Sequence, residues 1–160
     1  MYSMSVQEVV TCKNKKKLYN QFIKKIRTIA LSKMINDTGI VVGVEHIKKL
    51  YDLSIKNISK HHENLLKEKK VIMENCDGRL GYKAYAPYKA IHVGAAAPQI
   101  PQELIKQLDN NGRMFIPVGG EYESQWIYII DKDSEGKIKE KKVLSVNYVP
   151  LTDAKKQLQK

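Results

Sequence analysis

The sequence predicts an α/β protein, because short apolar strands alternate with amphipathic helices along most of the chain. Three observations support this class. Residues 40–46 (IVVGVEH) form a continuous, β-branched run, as in strands that are covered on both faces. Residues 47–69 then return to helical periodicity. Residues 125–151 contain two strand-like runs around the turn sequence DSEGK, which predicts an antiparallel hairpin at the edge of a mostly parallel sheet.

The other elements complete this alternation. Residues 16–34 place apolar side chains near helical spacing with lysines between them, so an amphipathic helix is expected there, ended by NDTG. After the helix at 47–69, the predicted elements are a strand at 71–75, a turn-rich loop at 76–88, a strand at 89–95, a helix at 101–108 and a strand at 112–119. Strands alternating with helices predict a sheet wrapped on both faces.

Composition narrows the class of protein. A chain of 160 residues with 42% hydrophobic and 28% charged residues is typical of one globular domain. No run approaches the roughly 20 apolar residues that cross a bilayer, and the first residues lack the order of a secretory signal, so a cytoplasmic protein without membrane contact is expected. Cys12 and Cys76 are far apart and are predicted to be free thiols.

The formal net charge of +11 is concentrated near the beginning of the chain. Between Val9 and Asn36 there are eight Lys or Arg residues and no acid. A solvated basic face is favoured over contact with RNA or DNA, because the stretch lacks the aromatic platform of single-strand binders. His61 and His62 point about 100° apart on a helix, so they are predicted to be solvated and no metal site is expected.

Two acids follow predicted strands, where ligands bind in open parallel sheets. Glu45 ends the strand at 40–46, and its carboxylate could accept hydrogen bonds from both hydroxyls of a ribose. The competing interpretation is a helix cap. Asp77 and Gly78 follow the next strand, where a carboxylate and exposed N–H groups could read the edge of a base. A plain turn is the alternative.

Small residues and a late proline mark two further places. Gly94 to Ala97 end the strand at 89–95, where minimal side chains would let a bulky ligand lie against the backbone or would simply permit close helix packing. Pro101 then suits the first turn of a helix. Pro150, within residues 147–153, ends the last strand, whose edge could pair with an extended peptide or could merely stop.

Three segments carry a family resemblance. VVGVEHIKKL, DGRLGYKAYAPYKAIHVGAAAPQIPQELIKQLDNNGRMFIPVG and VNYVPLTD resemble the protein-L-isoaspartate O-methyltransferase family in content, order and spacing, over about residues 28–153. The resemblance implies a Rossmann-like S-adenosylmethionine-dependent methyltransferase fold. It also implies an enzyme that methylates the free carboxylate of L-isoaspartyl residues, the first step in protein repair. Isoaspartyl-containing peptides and proteins are the expected partners of a monomer that binds no nucleic acid.

The resemblance also assigns residues by position. Cofactor contacts are expected at three strand ends: Glu45 and His46, Asp77 and Gly78, and Gly94 and Ala95. Glu45 would hold the ribose and Asp77 the adenine. Ala96 would complete the wall between cofactor and substrate, and the damaged peptide would be bound by Tyr148, Val149, Pro150 and Leu151. No catalytic acid, base or metal is implied, because a carboxylate is already anionic at neutral pH and a sulfonium methyl is already electrophilic.

One part of the family pattern is missing. Family members carry a glycine-rich D-x-G-x-G-x-G loop after the first sheet strand, whereas the matching place reads CKNKKKLYNQFIKKIR. Residues 1–27 are therefore predicted to be a divergent basic segment, and residues 28–160 a truncated methyltransferase domain without its first strand. Residues 5–11 (SVQEVVT) are a candidate substitute strand. The alternative function is a catalytically inactive remnant that binds a peptide or another partner.

Overall fold

The computed structural model describes residues 9–13, 27–35 and 39–152, with the backbone alone for 9–13 and Arg27. Its strands and helices are, in chain order, β1 (Val9–Lys13), α1 (Arg27–Met34), β2 (Ile40–Val44), α2 (Lys48–Lys67), β3 (Val71–Glu74), β4 (Tyr88–Val93), α3 (Gln102–Gln107), β5 (Leu108–Val118), β6 (Gln125–Lys132) and β7 (Ile138–Val146). None of the helices in these ranges combines the length and the hydropathy that crossing a membrane requires.

The seven strands form one sheet in the order β3-β2-β1-β4-β5-β6-β7. The pairs β2–β3 and β4–β5 are parallel, whereas β5–β6 and β6–β7 are antiparallel. The predicted α/β class, with its antiparallel carboxyl-terminal hairpin, is therefore confirmed.

The middle of the sheet contains a strand that runs against its neighbours. β1 pairs antiparallel with β2 on one side and with β4 on the other. The first strand expected from the family is thus replaced by one that overlaps the candidate segment at residues 9–11, while residues 5–8 lie outside the described part. The replacement matters for stability, because β2 and β4 would otherwise each present unpaired backbone groups.

Helices cover the two faces of the sheet. Val41 packs with Leu31 and Ile35 of the α1 side, whereas its neighbour Val42 belongs to the largest core cluster, which contains Leu104 of α3. Successive residues of a strand point to opposite faces, so α1 and α3 lie on opposite sides. α1 confirms the last part of the helix predicted over 16–34, and residues 16–26 of that prediction lie outside the described ranges.

Several element boundaries differ from the sequence prediction: β2 ends at Val44, β4 ends at Val93, and β7 ends at Val146, before Pro150. Two further differences lie at α3 and β5. α3 begins at Gln102, because Pro101 has the extended conformation of the residue before a helix. β5 begins at Leu108 instead of 112, and the register of its pairing with β4 shifts between Tyr88 and Ala90. Asn111, with φ 57, lies inside this irregular part of the strand. Residues 109–111, which lie between the predicted helix and the predicted strand, therefore belong to an irregular beginning of β5.

Candidate functional site

The carboxyl ends of β2, β3 and β4 meet at one edge of the sheet. Val44 and Val93 both pair with Val9 of β1, and Val44 also pairs with Glu74 at the end of β3. β2 and β4 are separated by one strand, so their ends lie about 10 Å apart. The residues that follow these strands, Glu45 and Gly94 among them, therefore lie at the same edge of the sheet.

Glu45 is fixed at the junction between β2 and α2. Only 2% of its surface is exposed. Its Oε1 accepts a hydrogen bond from the Ile47 N–H at 2.8 Å, at the start of α2, and its backbone oxygen accepts one from Asn75 Nδ2 at 2.7 Å. Glu45 does not cap α2, because the residue before the helix is Ile47 and no side chain caps it. Its contacts instead hold the carboxylate at the edge where the cofactor is expected.

Asp77 caps the short 3₁₀ turn Gly78–Leu80. Its Oδ1 accepts a hydrogen bond from the Arg79 N–H at 2.9 Å, and the Arg79 guanidinium forms an ion pair with its Oδ2 at 2.5 Å. Partial burial raises the pKa of Asp77. The hydrogen bonds and charge of Arg79, with a contribution from His46, together lower this pKa by more, so it lies below its ordinary value. His46 is therefore close enough to Asp77 to affect the pKa of its carboxylate.

The Asp77 ion pair should make stability depend on pH in the acid range. A carboxylate whose folded pKa is lowered stabilises the fold above its unfolded pKa and loses that contribution as pH falls through the folded value. Asp77→Asn keeps an oxygen for the Arg79 N–H but removes the charge. We expect the difference in unfolding free energy between wild type and Asp77→Asn to shrink as pH falls below the ordinary value of 3.8. Urea titrations at several pH values measure it, and Asp52→Asn on the exposed face of α2 is the control; a constant difference would contradict the assignment.

Gly94 to Ala97 form a buried partition at the end of β4. Ala95, Ala96 and Ala97 are at most 1% exposed. The Ala96 N–H donates to the Val149 carbonyl at 2.8 Å, and the Ala96 carbonyl accepts from the Leu151 N–H at 2.7 Å. The partition and the segment at 148–151 are therefore joined through their backbones.

The opposite side of this partition contacts the end of β5. The Ala97 N–H donates to the Pro117 carbonyl at 3.0 Å, and the Gly119 N–H donates to the Ala97 carbonyl at 2.9 Å. Small side chains allow the partition to lie between two chain segments at backbone hydrogen-bonding distance. The alanines are closely packed, but the segments that their backbones contact are extended chains after β5 and β7, whereas the sequence interpretation named a helix.

Gln125 is a site-linked residue that sequence reasoning missed. It begins β6 and is 2% exposed. Its Oε1 accepts a hydrogen bond from the Tyr148 N–H at 2.6 Å, and its Nε2 donates to the Tyr148 carbonyl at 3.1 Å. An amide at an inward-facing position of an alternating strand, two residues before buried Ile127, was the available signal.

The histidines of α2 and the two cysteines are given no role in the site. His61 is exposed and His62 is half-buried, at a non-helical point of α2. Cys76 is a free thiol, and burial raises its pKa, with further contributions from Glu74 and Asp77. The side chain of Cys12 and the basic stretch at 14–26 lie outside the described part. Within the ranges that are described, no three His, Cys, Asp or Glu residues come together as a metal site requires.

Comparison with known families agrees with these features. The family model described as "Protein-L-isoaspartate(D-aspartate) O-methyltransferase (PCMT)" matches residues 24–156. Protein-L-isoaspartate O-methyltransferase 2 of Arabidopsis thaliana is 48% identical over 126 residues, which are 78% of this chain and 40% of that protein. The Caenorhabditis elegans protein-L-isoaspartate O-methyltransferase is 46% identical over 130 residues, 81% of this chain and 57% of the relative. The chain thus spans about half the length of these relatives.

Solved structures show the same fold. A protein-L-isoaspartate O-methyltransferase from Plasmodium falciparum, in complex with S-adenosyl-L-homocysteine, superposes with a TM-score of 0.69 at 27% identity. The match covers 78% of this chain and 60% of that one. A second protein-L-isoaspartate O-methyltransferase, at 21% identity and TM-score 0.66, supports the fold alone, over 77% of this chain and 37% of the other.

Proposed function

Because this chain belongs to the protein-L-isoaspartate(D-aspartate) O-methyltransferase family, we propose that it methylates the free carboxylate of L-isoaspartyl residues with S-adenosylmethionine as the donor. The observation that carries the proposal is the position of the Gly94–Ala97 partition. One end of the partition follows β4 at the edge that Glu45 shares, and Ala96 is hydrogen-bonded to Val149 and Leu151. A cofactor and a peptide bound at these places would meet at the partition.

The residues fit one part of the cofactor better than the other. Glu45 and Asp77 supply carboxylates suited to a ribose and a base, at neighbouring strand ends. The chain lacks the glycine-rich loop that would contact the methionine part of the cofactor. That loop would precede residue 28, and the first glycine of the chain is Gly39. β1 cannot supply such a loop at this edge, since it runs antiparallel and its carboxyl end, Lys13, pairs with Ile40 at the other end of β2.

The chain's own residues would act by alignment and exclusion of water. When bound, S-adenosylmethionine supplies an electrophilic methyl group. The substrate carboxylate is ionised at neutral pH, so no general base is required. Ala95 and Ala96 present no polar side chain and almost no exposed surface, which favours a partly dehydrated approach. The segment at 148–151 would fix the orientation of the peptide.

The second candidate is a peptide-binding domain without catalytic activity. It is favoured by the reversed direction of β1, which leaves the edge without a family-type cofactor loop among the described residues. In that case the segment at 148–151 would retain its contacts, since these depend on Ala96 and Gln125 and do not involve β1. Monomeric state and cytoplasmic location stay predictions.

Methyl transfer from labelled S-adenosylmethionine to an isoaspartyl peptide tests the proposal. We expect label in a base-labile methyl ester with the isoaspartyl peptide and none with the same peptide containing ordinary aspartate. Absence of transfer, combined with calorimetric binding of the isoaspartyl peptide, would replace the enzyme by the second candidate. Absence of both transfer and peptide binding would contradict both.

A further inference from the structure

We propose that Gln125 is a positioning residue for the peptide substrate, because its side-chain amide holds the segment that presents Val149 and Leu151 to the Gly94–Ala97 partition. The inference rests on the proposed function, since it assigns to 148–151 the role of binding the substrate. Gln125 itself is nearly buried and touches the segment only through Tyr148. Its effect on the substrate would therefore be indirect.

The amide of Gln125 takes the place of a neighbouring strand. The Tyr148 N–H and carbonyl both bond to it, at 2.6 and 3.1 Å, as two residues do in a hydrogen-bonded pair of an antiparallel sheet. The next groups along the chain, the Val149 carbonyl and the Leu151 N–H, bond instead to Ala96. The backbone of the segment is therefore hydrogen-bonded on both of its edges, to Gln125 through Tyr148 and to Ala96 through Val149 and Leu151.

The position of Gln125 explains why a side chain is needed here. Regular pairing of β6 with β7 ends at Gln125 and Val146, so Tyr148 lies beyond the last residue pair of the hairpin. Nε2 of Gln125 also donates to the Gly120 carbonyl at 3.2 Å. One buried amide thus connects the turn after β5 to the segment after β7. Through these hydrogen bonds it fixes the backbone of the residues next to the partition.

Two substitutions separate hydrogen bonding from packing. Gln125→Met keeps a long unbranched side chain but loses both the donor and the acceptor. Gln125→Glu keeps an acceptor for the Tyr148 N–H, but its ionised form offers no donor to the two carbonyls. A protonated glutamic acid again presents one donor and one acceptor, so lower pH should restore part of the contact in Gln125→Glu alone. Gln102→Met, at an exposed position of α3, is the matched control.

Steady-state kinetics and hydrogen–deuterium exchange test the proposal. In Gln125→Met we expect KM for an isoaspartyl peptide to rise about three- to tenfold, from the loss of the two neutral hydrogen bonds to Tyr148. Gln125→Glu at neutral pH should show at least as large a rise, because its buried carboxylate would face two carbonyl oxygens. KM for S-adenosylmethionine and kcat should change less than about twofold, and exchange should increase at residues 147–151 but not in β4 or β5. The kinetic defect of Gln125→Glu, relative to wild type at the same pH, should shrink on acidification, whereas that of Gln125→Met should not.

Several results would overturn the proposal. Unchanged peptide KM in both variants would do so, as would equal losses for peptide and cofactor with increased exchange throughout the sheet, which indicate a merely structural role. If the wild-type chain transfers no methyl group, the proposed function fails separately. Hydrogen–deuterium exchange then still tests whether Gln125 holds the segment. Protection of residues 147–151 in Gln125→Met equal to that in the wild type would show that the amide does not hold it.

Discussion

The Glu45→Gln variant should bind S-adenosylhomocysteine about ten- to a hundredfold more weakly than the wild-type chain, as measured by isothermal titration calorimetry. A ribose hydroxyl that donates to a carboxylate forms a charge-assisted hydrogen bond, which contributes about 1.5–3 kcal/mol, and about 1.4 kcal/mol corresponds to a factor of ten in affinity. Glutamine keeps an oxygen for the Ile47 N–H, so the junction between β2 and α2 should keep its hydrogen bond. The substitution therefore tests the charge at this position with little disturbance of the fold.

The comparison for Glu45→Gln is Glu63→Gln, which also removes a glutamate charge. Glu63 lies on the exposed face of α2, where its Oε2 pairs with Lys67 Nζ at 2.8 Å. We expect this variant to bind S-adenosylhomocysteine as the wild type does. Equal dissociation constants for wild type and Glu45→Gln would show that the carboxylate serves only the junction between β2 and α2, where it accepts a hydrogen bond from the Ile47 N–H.

The strands could be predicted well because their apolar runs are short and clearly bounded. The run IVVGV at 40–44 is continuous and β-branched, and the structure confirms it as β2. β1 was harder to predict: residues 5–11 (SVQEVVT) were only a candidate strand, and a strand with neighbours on both sides has the same apolar pattern in either direction. Its antiparallel direction depends on how the chain enters and leaves Val9–Lys13. Local sequence contains no such information.

The candidate site was only partly predictable for a related reason. A carboxylate after a strand can cap a helix or hold a ribose from the same position, so the sequence could not separate these uses of Glu45. The structure shows neither use: Glu45 Oε1 accepts a hydrogen bond from the Ile47 N–H without capping α2, and the ribose contact stays a prediction. Gln125 belongs to no recognisable motif, and its role depends on Tyr148, which is distant in sequence and is brought near by the β6–β7 hairpin. Such a contact requires the register of the sheet.

Replacing Gly119 with alanine should destabilise the fold by at least about 2 kcal/mol, measured as the free energy of unfolding in urea. Gly119 follows β5 with φ +144, a conformation that L side chains rarely adopt. A Cβ atom there would lie 2.8 Å from both the Gln125 Cα and the Ser124 carbonyl oxygen. Both contacts involve backbone, so a rotamer change cannot relieve them, and the turn itself would have to move.

Gly120→Ala is the control, because it adds the same atom one residue later. The nearest atoms to its Cβ belong to the side chain of Glu123, at 2.9 Å. This exposed carboxylate can rotate away at the cost of the one hydrogen bond that it accepts from the Gly120 N–H, at 3.0 Å. We expect Gly120→Ala to cost less than about 1 kcal/mol. The displaced turn in Gly119→Ala should also disturb the proposed substrate segment at 148–151. The same turn is hydrogen-bonded to Ala97 through the Gly119 N–H and to Gln125 through the Gly120 carbonyl. Indistinguishable urea midpoints for the two variants would mean that the turn yields freely, and that it cannot hold Gln125 or the partition in place.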